Sequence, residues 1–92
     1  MVIWSPQARA DLKAIHHYIA KDSAQNAKQV IHEIKSKADS LATLPYVGKT
    51  IPEFERDDLR EVHVYSWRVL YQASNNNIHI IAIVHKRRML EA

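Results

Sequence analysis

Residues 59–85 read "LREVHVYSWRVLYQASNNNIHIIAIVH", and this stretch decides the fold. From Leu59 to Tyr65 apolar and polar residues alternate, the period of two expected of a half-buried strand. Trp67 to Gln72 is β-branched and aromatic, which also favours a strand. The asparagines at 75, 76 and 77 supply a turn. Ile78 to His85 is then almost wholly apolar and long enough to lie mid-sheet. Short connections make the three strands a meander. In the last of them Ile78, Ile80, Ala82 and Val84 are expected on one face, and Ile81 and Ile83 on the other. Covering layers that protect only one face would leave an apolar strip, which predicts a protein partner.

The period changes upstream. Ala8, Leu12, Ile15 and Ile19 recur at steps of four, three and four, one face of a helix. Ser5 is its N-cap and Pro6 its first helical residue, and it ends near Lys21. Asp22-Ser23 gives a second N-cap, after which Ala27, Val30, Ile31, Ile34, Ala38, Leu41 and Leu44 keep helical spacing. Glu33 and Lys37 form an i,i+4 pair on the wet side, and Pro45 and Gly48 stop the helix. So short a turn between two amphipathic helices makes them an antiparallel hairpin. "VIW", Val2 to Trp4, reads as a short edge strand, and "PYVGKTIPEFERDD", residues 45–58, as a loop. The predicted order is β-α-α-β-β-β, an α+β fold whose antiparallel sheet carries a helical hairpin on one face. Trp4 and Trp67 are expected to pack the core or sheet, and Tyr18 and Tyr46 the hairpin and its following turn.

Ninety-two residues make one domain, 1–92, with room for a single core and little for a deep pocket. No cysteine is present, so a disulfide framework and thiolate metal sites are excluded. No apolar run approaches the ~18 residues of a membrane-spanning helix. Ser5, Gln7, Arg9 and Asp11 interrupt any signal-peptide core. The expectation is a soluble cytoplasmic protein with no membrane partner.

The net charge is +3 and the pI about 9.3, a mild bias toward an anionic partner. The basic residues gather late, where His85 gives way to Lys86, Arg87 and Arg88. Such an ending is either a solvated terminus or a site for something anionic. Arg60-Glu61 reads as a strand-start ion pair, and Arg68 can pair across strands with Glu61. His85 reads as a hydrogen-bonded boundary residue or as a proton-exchanging group. His16, His17 and His32 do not make a metal site: adjacent histidines point about 100° apart on a helix, and no carboxylate has the right offset. No metal or cofactor is expected.

Taken in order, "WSPQARADLKAIHHYIA", "LATLPYVGKTIPE", "LREVHVYSWRVLYQ" and "IHIIAIVHKRR" resemble the RelE/ParE superfamily of toxins from type II toxin–antitoxin pairs. The resemblance runs from Ile3 to Arg88, and it is more ParE-like than RelE-like. It implies the β-α-α-β-β-β fold and a cognate antitoxin that wraps the toxin in a hetero-oligomer. It also implies one of two activities. ParE-like members poison DNA gyrase, while RelE-like members cut messenger RNA within the ribosome.

For a gyrase poison the resemblance implies no catalytic group, only a target-binding rim of Arg60, Arg68, His85, Lys86, Arg87 and Arg88. For an endoribonuclease it implies Arg68 against the phosphate, with His85, Glu53 and Glu61 to exchange protons. Ribonuclease relatives carry a tyrosine, or a His-Tyr pair, near the C-terminus. Here that stretch reads "KRRMLEA" with neither, which turns the expectation toward gyrase. Antitoxin binding is expected at Ile81, Ile83, Arg68 and Arg87. A non-toxic basic nucleic-acid-binding module is the remaining alternative.

Overall fold

In the computed structural model, which describes residues 1–90, the elements run β1 (Val2–Trp4), α1 (Pro6–Ala20), α2 (Ala24–Ser40), β2 (Lys49–Thr50), β3 (Leu59–Val64), β4 (Trp67–Ser74) and β5 (Asn77–His85). Both helices start where their caps require. Ser5 Oγ accepts the amide of Ala8 at 2.9 Å, and Ser23 Oγ that of Asn26 at 3.1 Å. Helix α2 stops at Ser40, one turn before the apolar spacing runs out, and Leu44 is exposed. Pro45 disfavours helical backbone in the residue before it, so the chain leaves the helix through turns.

The sheet has the order β1-β5-β4-β3-β2. The α+β class and the hairpin on one face stand as expected, with two refinements. β1 pairs parallel with β5, so the sheet is mixed. The 45–58 segment also contributes the two-residue strand β2, antiparallel to β3. β1 reaches only as far as Ile80, leaving the far half of β5 without a strand neighbour. There α1 substitutes for one: Ser5 Oγ donates to the Ile81 carbonyl at 2.6 Å, and Asp11 Oδ2 accepts the Ile83 amide at 2.8 Å.

One irregularity reorders the core. Leu70 stands opposite Ala82 and Tyr71 opposite Ile80, so Ile81 is an extra residue, a β-bulge. The alternation of β5 therefore flips. Ile78, Ile80 and Ile83 all join the main core beneath the helices, with Ile34, Val69 and Tyr71. Ala82 and Val84 face the other side, against Leu70, Ile51, Phe54, Leu59 and Leu90. The expected grouping of Ile81 with Ile83 is thus corrected. The second face is also not bare: the loop after β2 and the last described residue cover part of it with a core of their own.

Candidate functional site

Arg68 lies on that second face, only 5% exposed. Its Nη1 and Nη2 donate in parallel to Glu53 at 2.9 and 2.8 Å. Its Nε and Nη2 donate to Glu61 at 3.3 and 2.6 Å. The remaining Nη1 hydrogen goes to the Arg88 carbonyl at 3.1 Å. A guanidinium has five N–H groups, and all five are engaged inside the protein.

Two carboxylates share this one cation, and each is driven toward its charged form. The fork from Arg68, then the Leu90 amide at 3.0 Å, hold Glu53 at about 2, well below the usual carboxylate range. Burial pushes Glu61 up most strongly, but hydrogen bonds from Arg68 and His63 outweigh it and leave the carboxyl below its ordinary value. Arg68 is held further up still, first by Glu53 and then by Glu61. Carboxylates so stabilised are weak proton acceptors at neutral pH.

Arg60, on the opposite face of β3, closes the loop that follows α2. It donates to the Asp57 carbonyl at 2.9 Å and the Gly48 carbonyl at 2.8 Å, and pairs with Asp57 Oδ1 at 2.6 Å. Its guanidinium lies 5.0 Å from the centroid of the Tyr46 ring. The expected Arg60-Glu61 pair does not form, because neighbours in a strand point to opposite faces. Instead Arg60 takes Asp57, and Glu61 takes Arg68 and His63.

Beyond β5 the chain turns at once. Lys86 donates its amide to Ser66 at 2.8 Å, and Arg88 its own to the His85 carbonyl at 2.9 Å. His85 Nδ1 accepts the Arg87 amide at 3.2 Å, and the ring stands edge-on to Trp67 with centroids 5.3 Å apart. The residues after Arg88 fold back over the second face, where Leu90 packs on Val84 and Leu70. The side chains of Lys86, Arg87 and Arg88 stay exposed, and none forms an ion pair among the described residues.

The residues singled out from sequence thus divide. Arg68, Glu53 and Glu61 come together as a buried network, Arg60 is a loop clamp, and His85 anchors a turn. Only the cationic tail is presented to solvent. Of the two isoleucines expected in an exposed strip, Ile83 is 4% exposed and Ile81 37%. Tyr18, expected to pack the hairpin, is 69% exposed. Sequence reasoning missed the closure of the loop over the buried Tyr71 hydroxyl, which donates to the Pro45 carbonyl at 2.7 Å and accepts the Gly48 amide at 3.1 Å. The signal was present, since Gly48 is the chain's only glycine.

Comparison with known proteins adds to this geometry. Residues 2–90 match the family described as the ParE toxin of the type II toxin–antitoxin system, parDE. The chain is 35% identical over 89 residues to Toxin RelE2 of Caulobacter vibrioides, covering 96% of this chain and 97% of that one. Its fold is similar to that in the chromosomal ParDE toxin–antitoxin system from P. aeruginosa, with a TM-score of 0.74, 22% identity, and 91% and 92% of the two chains covered. It is also similar to a chain of the heterotetrameric YoeB-YefM toxin–antitoxin complex from Staphylococcus aureus, with a TM-score of 0.58, 17% identity, and 89% and 91% covered.

Proposed function

The chain belongs to the ParE toxin family of type II toxin–antitoxin systems, and from that premise we propose that it arrests growth by binding DNA gyrase through its basic tail, with no chemistry of its own. The observation that carries this reading is the engagement of Arg68. A ribonuclease needs an available cation for the phosphate charge and a group of suitable basicity for the 2′-hydroxyl proton. Arg68 has no N–H left to give. Glu53 and Glu61 are stabilised as carboxylates rather than poised to take a proton.

The exposed cations at Lys86, Arg87 and Arg88 suit a binding surface instead. They present charge to an acidic or phosphate-bearing surface without a catalytic pocket around them. The family premise brings a second partner, an antitoxin that keeps the toxin silent. The structurally similar chains come from toxin–antitoxin systems, which supports this.

The printed name of the 35%-identical relative, Toxin RelE2, favours a second reading, ribosome-dependent cleavage of messenger RNA. One experiment separates the two. Purified protein is incubated with gyrase, ATP and relaxed plasmid, and in parallel with ribosome-bound messenger RNA. Blocked supercoiling or trapped linear DNA is the expected result. Unaffected gyrase with cut messenger RNA would overturn the gyrase reading and send attention back to His85.

A further inference from the structure

On the helical layer, away from the tail, α1 and α2 enclose an open groove of about 470 Å³. Its floor is apolar: Trp4 from β1, Leu12 from α1 and Ile31 from α2, each half-buried. Its rim is cationic. Arg9 and Lys13 are one helical turn apart on α1, and Lys35 faces them from α2. All three are exposed, and none forms an ion pair among the described residues. Asp39 is the one acid along the rim.

We propose that this groove is a docking site for an acidic amphipathic segment of the antitoxin, its apolar side chains seated on Trp4, Leu12 and Ile31 and its carboxylates meeting Arg9, Lys13 and Lys35. The inference rests on the reading of this chain as an antitoxin-neutralised toxin. Charge complementarity selects the occupant. A second copy of the chain would bring like-charged rims together, and like charges brought face to face repel. Nucleic acid matches the rim but not the aliphatic part of the floor. From Ile31 to Asp39 the α2 side of the groove rises roughly 12 Å, room for about two turns of a helix. None of Lys86, Arg87 and Arg88 lines the groove, so docking there is separable from what the tail does.

The test uses the isotopically labelled full chain and, as probe, a synthetic helical peptide of about 14 residues with leucines on one face and glutamates flanking them. Amide and indole signals of Trp4, Leu12 and Ile31 should shift on titration. Lys13→Glu with Lys35→Glu should weaken binding by about tenfold or more, and added salt should weaken the wild type further. Milder Lys13→Gln and Lys35→Gln changes should give a smaller loss in the same direction, which covers a failure of the reversed variant to fold. Shifts confined to residues 86–90, or equal affinity in all variants, would overturn the proposal. So would shifts caused by a DNA oligonucleotide and not by the peptide, or concentration-dependent self-association at the groove. Gyrase inhibition by the reversed variant alone should match wild type. If wild type itself spares gyrase, the target reading fails while the peptide result still decides the groove.

Discussion

Glu53 and Arg68, fifteen residues apart in the chain, meet through two parallel hydrogen bonds, and the same Glu53 oxygen that takes one of them also takes the amide of Leu90. The pair therefore ties three segments together: the loop after β2, strand β4 and the tail after β5. Its consequence for function is positional. The tail cations project from a backbone fixed on the network at Arg88 and Leu90.

Arg68→Ala should destabilise the fold by about 3–5 kcal/mol, because Glu53 and Glu61 would be left buried without a counter-charge. Arg68→Lys should recover only part of this, since an ammonium cannot make the two-pronged contact. Chemical denaturation of the three proteins checks both statements. An Arg68→Ala protein of unchanged stability would remove the network from the account of the fold.

Stability should fall as the solution is acidified through the range set by Glu53. In the folded protein its carboxyl is lowered from 4.5 to about 2, so the unfolded chain binds the proton more readily. The contribution is full above pH 4.5 and is lost as pH falls toward about 2. Thermal melts across this interval should show the decline, with a shallower slope for Glu53→Gln. The carboxamide protein should also melt lower at neutral pH.

The bulge makes a paired prediction. Ile83→Ala empties a packed site in the main core and should cost about 2–5 kcal/mol. Ile81→Ala, at the bulge and partly in solvent, should cost about 1 kcal/mol or less. Regular alternation would group the two isoleucines on one face, so equal costs would contradict the shifted register.

Gly48 marks a close approach. A Cβ there would lie 2.6 Å from the Glu61 carbonyl oxygen and 2.6 Å from the Tyr71 hydroxyl, both held in place. Gly48→Ala should therefore cost about 1–3 kcal/mol or more. Tyr71→Phe leaves the Pro45 carbonyl and the Gly48 amide without their partner, at about 1–3 kcal/mol. Urea midpoints measure each.

Replacing Arg87 and Arg88 together with glutamine should leave the melting temperature within a few degrees of wild type, as neither side chain has an intramolecular ion-pair partner among the described residues. Inhibition of gyrase should weaken severalfold and become less sensitive to salt. Undiminished growth arrest by this double variant would remove the tail from the proposed target surface.

The sequence by itself determined the kind and order of the main elements. Periods of 3.6 and 2 are written locally in the spacing of apolar residues, and Ser5-Pro6 and Ser23 act within a few residues of the helices they start. Arg68 with Glu61 was legible for a similar reason, since the hairpin joining their strands is short. Only the tertiary structure decided the rest. The bulge at Ile81 depends on the register of β5 against β4, and one skipped residue sends Ile83 into the core and Ala82 and Val84 to the other face. Glu53 reaches Arg68 because a loop without periodicity folds across the sheet, a choice fixed by Ile51 and Phe54 finding Leu70 and Val84. Local spacing records which residues share a face of one element. It does not record which distant segment will cover that face, and here the covering segment engages every N–H of Arg68 and leaves the tail cations in solvent.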